Sequence, residues 1–285
     1  MIKIFSLNFI ARLMVGLFGA GVFIVITQDL QIFPKVVESI FIESGILRSS
    51  ADLPKGVESF FAKTSDDELI EIWRYPAKNS NKIKPLIFAH GNAKNLEDTH
   101  QYAAILNEFF RYTVYSFDYR GFGRSSGWPS EEGIYRDIET VYKFAKEKDQ
   151  FDDKDLVLLG WSLGSAPVSY LASKIDFNLL ILLAPFTSLP DAVADRFFYR
   201  LFKSFLWSNF PNLELLSKPL KGSKVILVHG DRDKVIPISH SYRLHEELKK
   251  FNDVILIEKQ GAAHNDIFGL SLSDWGKFLE ETASQ

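Results

Sequence analysis

The chain has 285 residues, 46% of them hydrophobic and 24% charged, which suffices for one large α/β domain with a well-filled core. Its formal net charge is −3, with both signs interspersed, so no basic face stands ready to neutralise a phosphate backbone and the composition argues against nucleic acid as a partner. There is no cysteine, which excludes disulfides, thiolate metal sites and cysteine nucleophiles.

The first element in chain order is an apolar run. Residues 13–27, LMVGLFGAGVFIVIT, carry no charge, and counted from Phe9 the stretch approaches the ~20 residues that span a bilayer core. No small-x-small cleavage site follows Thr27, where Gln28, Asp29, Leu30 and Gln31 stand, so residues 1–28 read as a membrane anchor, with a cleaved signal peptide as the competing reading. Lys3 and Arg12 precede the run, and the positive-inside rule then predicts a cytoplasmic N-terminus with the rest of the chain on the extracytoplasmic side. Residues 29–56 read as a connecting segment and 57–285 as the folded domain.

That domain opens with VESFFAKTSDDELIEIWRYPA, two strand-like runs around the polar turn Ser65, Asp66, Asp67, which predicts an antiparallel hairpin. Short continuous apolar runs then recur at 85–89, 113–117, 156–159, 179–184, 225–228 and 254–257, the pattern of strands buried on both faces. Between them lie amphipathic stretches. One follows the candidate N-cap Ser130, with Glu131 and Glu132 in its first turn and Ile134, Ile138, Val141 and Phe144 along one face; another starts at Ser239. Strand and helix in alternation predict a mostly parallel sheet with helices on both faces, with function gathered at the C-terminal strand ends.

The loops at those ends carry the informative residues. In GWSLGSAP, Ser162 sits between Gly160 and Gly164, after a strand and before a helix. A serine hydroxyl at its free pKa is a poor nucleophile and must be raised on a sharp turn where a base can reach it, which is what a strand-to-helix elbow with small flanking residues provides. A carboxylate and a histidine should follow in that order; Asp233, in HGDRDKVIP, and His264, in KQGAAHND, fill it, with Asp231 as the alternative carboxylate. Val235 and Pro237 favour Asp233 by fixing its loop. Of the other histidines, His100, His240 and His245 are expected at the surface, and His90 and His229, each closing a strand before a glycine, in structural hydrogen bonds. An oxyanion needs preorganised amides: one from Leu163, after the nucleophile, and one from the HGNA loop, at Asn92 or Ala93.

HGNA, FDYRGFGRSSGWPSE, GWSLGSAP, HGDRDKVIP and AAHNDI, in that order over more than 200 residues, make the chain from about Val57 onward resemble the α/β-hydrolase superfamily, and within it the membrane-associated serine hydrolases that include protein depalmitoylases and lysophospholipid or monoacylglycerol hydrolases. The resemblance implies an α/β-hydrolase fold with a short lid at 186–222, a triad of Ser162, Asp233 and His264, and an oxyanion hole from the amides of Asn92 and Leu163. The lid is rich in aromatic residues, and Phe202 and Trp207 are the candidates to line a site for an acyl chain, the alternative being that these rings pack the lid onto the body. The function expected is hydrolysis of a carboxylic ester or thioester through an acyl-enzyme on Ser162, with no metal or cofactor implied; a peptidase of the same fold, or a catalytically silent scaffold, is the alternative.

Overall fold

The computed structural model describes residues 53–78, 84–195 and 206–268. The expected membrane anchor and most of the connecting segment lie outside the described residues, as does Phe202; among the described residues no helix is long and apolar enough to cross a membrane.

The hairpin forms as expected, from β1 (Glu58–Lys63) and β2 (Leu69–Tyr75), which pair antiparallel. Its turn is closed by Thr64, whose hydroxyl donates to Asp66 Oδ1 at 2.6 Å, while Asp67 takes the left-handed φ of 73° that Asp tolerates better than most residues. Then come β3 (Pro85–Ala89), α1 (Leu96–Phe110), β4 (Thr113–Phe117), α2 (Glu131–Asp149), β5 (Val157–Trp161), α3 (Ser165–Ala172), β6 (Phe177–Leu183), α4 (Leu189–Ala194), α5 (Asn212–Leu216), β7 (Gly222–Gly230), α6 (Ser239–Leu248) and β8 (Val254–Lys259).

The strands form one sheet in the order β1-β2-β4-β3-β5-β6-β7-β8. β2 meets β4 antiparallel, and every pair from β4 through β3 to β8 is parallel. The continuous apolar runs follow from this arrangement, because both faces are covered. On one face Ile87, Leu158, Leu180 and Leu227 pack with Ile134, Ile138, Val141 and Leu244 from α2 and α6; on the other, Phe88, Leu159, Ile181 and Val228 pack with Leu96, Ala103 and Leu106 of α1. Strand residues alternate between these two cores, so neither face of a central strand can be polar.

Helix starts obey local chemistry. Asn95 and Asp98 form a reciprocal capping box on α1, and Ser130 Oγ accepts from the Gly133 amide at the start of α2. Each cap closes a loop that starts at a C-terminal strand end, that of β3 for Asn95 and that of β4 for Ser130.

Candidate active site

The edge of the sheet where the parallel strands end brings together Ser162, Asp233 and His264. The turn between β5 and α3 is tight enough that Ser162 adopts φ +53°, a left-handed conformation costly for a residue with a Cβ. Its two glycines are sterically required. A Cβ on Gly160 would lie 2.3 Å from the Gly164 carbonyl oxygen, and one on Gly164 would lie 2.0 Å from that of Ala89. Ser165 Oγ donates to the Ser162 carbonyl at 2.6 Å, and the buried Asn212 amide donates to Ser165 Oγ at 3.2 Å and to the Phe186 carbonyl at 3.0 Å, tying the elbow to the segment after β6.

His264 Nε2 stands 3.0 Å from Ser162 Oγ, and its Nδ1 stands 2.6 Å from Asp233 Oδ2. A carboxylate can only accept, so Nδ1 carries the proton; in the neutral ring Nε2 is then the acceptor that faces the serine hydroxyl. Asp233 Oδ1 accepts from the amides of Val235 and Ile236 at 2.8 and 2.9 Å. Burial alone would raise this carboxyl, but the nearby His229 ring, 3.4 Å from Oδ2, the hydrogen bond from His264 and that from the Ile236 amide override it and hold it well below the usual carboxylate range.

Asp231 has another task. Its Oδ1 accepts from the Gly261 amide at 2.7 Å and its own amide donates to the Lys259 carbonyl at 3.1 Å, so it joins the loop after β7 to the loop after β8 that carries His264. A Cβ on Gly230 would lie 2.2 Å from the Ala262 carbonyl oxygen, which measures how closely those loops pack. Trp161 lies beside His264, with ring centroids 6.4 Å apart.

The HGNA loop after β3 passes directly over the elbow: a Cβ on Gly91 would touch the Trp161 ring at 3.4 Å and Ser162 Cβ at 3.6 Å. Within this turn the Ala93 amide donates to the Asn92 side chain at 2.9 Å. The loop is braced from below, since the Tyr119 hydroxyl donates to the His90 carbonyl at 2.6 Å and His90 Nε2 lies 3.2 Å from Asp118 Oδ1. Burial raises the Asp118 carboxyl, against the pull of His90. Leu163 is buried in the single 3-10 turn that links β5 to α3.

Several sequence expectations need correction. His240 is not at the surface: it is 2% exposed, with Nδ1 2.9 Å from Thr187 Oγ1 and Nε2 2.8 Å from Asp195 Oδ2. His100 is half-buried, stacked on Tyr75, whose hydroxyl lies 3.2 Å from its Nδ1. His90 and His229 are buried in hydrogen bonds, as expected. Within the 186–222 segment, Trp207 is 68% exposed, whereas Phe210 is fully buried and meets Tyr135 edge-on at 5.8 Å, packing the segment onto α2. The proximity of His229 to Asp233 and the position of Asn212 behind the elbow have no local sequence signal, because each depends on residues brought together by the fold.

Comparison with known proteins agrees with this geometry. Residues 84–209 match the model of the alpha/beta hydrolase fold family. The chain is 31% identical over 212 residues to mouse alpha/beta hydrolase domain-containing protein 17C, covering 74% of this chain and 63% of that protein, so it spans less than two thirds of that relative's length. It is 30% identical over 229 residues to alpha/beta hydrolase domain-containing protein 17B of Xenopus laevis, covering 79% of this chain and 73% of the relative. Among solved structures, the Pyrococcus furiosus esterase Pf2001 superposes with a TM-score of 0.66 at 18% identity, over 82% of this chain and 95% of that one. Est1E from Butyrivibrio proteoclasticus, with ferulic acid bound, gives 0.63 at 19% identity, over 79% and 100%.

Proposed function

The chain belongs to the α/β-hydrolase family, and from that premise we propose that it is a serine hydrolase cleaving carboxylic esters or thioesters through an acyl-enzyme on Ser162. The observation that carries the reading is the continuous contact from Ser162 Oγ to His264 Nε2 at 3.0 Å and from His264 Nδ1 to Asp233 Oδ2 at 2.6 Å.

In this mechanism Ser162 Oγ attacks the acyl carbon while His264 Nε2 takes its proton. The resulting imidazolium is stabilised by the ionised Asp233, which also keeps the Nδ1–H tautomer in place. Negative charge collects on the acyl oxygen, where the amides of Asn92 and Leu163 receive it, a contribution of about 3 kcal/mol for each such donor. His264 returns the proton to the departing alkoxide or thiolate, and water then repeats the sequence on the acyl-enzyme. The left-handed Ser162 conformation supports the assignment, because strain of this kind persists only where surrounding structure enforces it.

The substrate side of the proposal is an acyl group from a lipid or an acylated protein, with the aromatic residues of 186–222, Phe202 and Trp207 among them, as its acyl-chain contacts. The uncharged run at 13–27 is proposed as a membrane anchor that holds the catalytic domain at an extracytoplasmic surface. The test is turnover of an ester series from acetyl to palmitoyl by the full chain in detergent, with Ser162→Ala and Phe202→Ala alongside. Turnover that rises with chain length, vanishes in S162A and flattens in F202A supports the reading. Turnover retained in S162A sinks the acyl-enzyme, and an equal loss at every chain length in F202A sinks the acyl-chain contact.

A further inference from the structure

Behind Asp233 lies a second histidine that the mechanism above does not use. His229, the penultimate residue of β7, is fully buried. Its Nε2 is 2.8 Å from the Ile236 carbonyl and 3.4 Å from Asp233 Oδ2, and its Nδ1 is 2.7 Å from Ser241 Oγ in α6. The Ile236 carbonyl can only accept, so Nε2 carries a proton and donates it there, with Asp233 Oδ2 at 3.4 Å from the same nitrogen. In the neutral ring Nδ1 accepts from the Ser241 hydroxyl, which fixes the tautomer. The two sides of the Ile236 peptide link are used at once: its amide donates to Asp233 Oδ1 at 2.9 Å while its carbonyl receives His229 Nε2.

We propose that His229, held by Ser241, is the positioning residue that sets both the orientation and the basicity of Asp233. The inference rests on the serine-hydrolase reading for its consequence in turnover, but its direct effect is on the Asp233–His264 hydrogen bond. The line runs Ser241, His229, Asp233, His264, Ser162, five side chains from α6 to the elbow. The polarised Nε2–H, 3.4 Å from Oδ2, withdraws charge from the oxygen that binds His264 Nδ1, and the pull of His229 is among the interactions that hold the carboxyl low against its burial. Without that donor the carboxylate becomes a stronger partner for imidazolium, so His264 should hold its proton to higher pH.

Other clusters carry less. Asp66, Arg120, Asp137 and Arg136 form a paired network between the hairpin turn and α2, with the donors and acceptors satisfied by one another. Glu71 is likewise matched by Arg124, Trp73 and Ser59. Neither touches the elbow, and each is accounted for as a link between β1, β2 and the loop after β4.

The experiment is an NMR titration of the His264 ring in the full chain, its resonance identified by its loss in His264→Asn, for wild type, His229→Leu, His229→Gln and Ser241→Ala. His229→Leu should raise the His264 midpoint by about 0.5 pH unit, Ser241→Ala should raise it less, and His229→Gln, whose amide can replace the Nε2–H donor, should return it toward wild type. The rate of Ser162 labelling by a fluorophosphonate, followed against pH, should show its acid limb moving by the same amounts, with a fall of about tenfold at the optimum in H229L, the scale of one buried hydrogen bond. An unmoved His264 midpoint in folded H229Q and S241A alongside an unmoved one in H229L, or equal midpoints in H229L and H229Q, overturns the proposal. If H229L does not fold, S241A decides by itself: an unmoved midpoint there overturns the proposal. Failure of the probe to label Ser162 in wild type overturns the acyl-enzyme reading instead, and the His264 titration still reads what His229 does.

Discussion

Gly164 and Ala89 meet backbone to backbone: a Cβ on the glycine would sit 2.0 Å from the Ala89 carbonyl oxygen. The elbow that lifts Ser162 is therefore pressed against the end of β3, and the HGNA loop leaves β3 at the same point. Ser162 and the HGNA loop are set relative to each other by this contact, not by side chains that could adjust. Gly164→Ala should accordingly cost about 3 kcal/mol, the upper range of overpacking, because both colliding groups are main chain. Gly56 is the control, since a Cβ there meets nothing within 4 Å and only its φ of 83° opposes alanine. Gly164 itself has an ordinary helical φ of −60°, so its loss reads the close approach alone; denaturant midpoints for the two variants check this, and a Gly164→Ala loss no larger than that of Gly56→Ala would overturn it.

Ser162 adds a second consequence of the same turn. Its φ of +53° costs an L-residue about 1 kcal/mol that glycine does not pay. Ser162→Gly should raise the unfolding temperature by about 2–4 °C, while fluorophosphonate labelling disappears. Ser162→Ala keeps the Cβ and should lose labelling with no such gain. A Ser162→Gly protein less stable than wild type would mean that the hydroxyl, through its contact with His264, stabilises the fold more than its backbone strains it.

How much of this could be read from the chain depends on how local each signal is. The runs at 85–89 and 113–117 coincide with β3 and β4, because strands buried on both faces leave no polar residue to blur their ends. The elbow was legible because Gly160, Ser162 and Gly164 are close in sequence, and the order of Asp233 and His264 survives although 102 positions separate His264 from Ser162. The burial of His240 was not legible. Its helix has a polar outer face, and the Thr187 and Asp195 that meet it come from 53 and 45 positions away, with nothing local to announce them. Asp231 and Asp233 were distinguishable only weakly for a related reason: both cap turns, and which one faces His264 is decided by the packing of Gly230 against Ala262.

The Asp233 carboxyl makes a pH prediction. Its folded value is held below the ordinary 3.8, despite burial, by its hydrogen bonds. The unfolded chain therefore binds the proton first as pH falls, so the stability contributed by Asp233 is complete above the unfolded value and is lost as pH drops through about 4 toward the folded one. Asp233→Asn removes that loss, and its stability should fall less steeply than wild type between pH 4 and 2.5, while turnover drops by roughly 10⁴-fold because the imidazole loses the partner that orients it. Unfolding free energies measured across that range decide the matter, and parallel curves for the two proteins would rule out the depressed carboxyl.

His240 packs against the start of the 186–222 segment. His240, on α6, accepts at Nδ1 from the Thr187 amide at 3.2 Å and presents Nε2 to Asp195, the residue that ends α4. Asp191, on α4, and Arg243, one turn along α6, are the other charged groups around it, and they are paired with each other at 3.1 Å. Desolvation lowers the His240 pKa from the ordinary 6.5 and outweighs the pull of Asp195. A proton on Nδ1 would also face the Thr187 N–H, two donors opposed. For a base whose folded value is lowered, the unfolded chain takes up the proton first as pH falls, so stability is full above 6.5 and declines below it until the folded value is passed. The slope from this one group cannot exceed about 1.4 kcal/mol per pH unit. His240→Asn, whose side-chain oxygen can still accept from Thr187, should flatten the curve between about pH 7 and 5, and Asp195→Asn should extend the decline to lower pH by removing the carboxylate bonded to the ring. Thermal unfolding of the three proteins across that range tests both statements at once, and a wild-type curve that H240N leaves unchanged would place the pH dependence elsewhere in the chain.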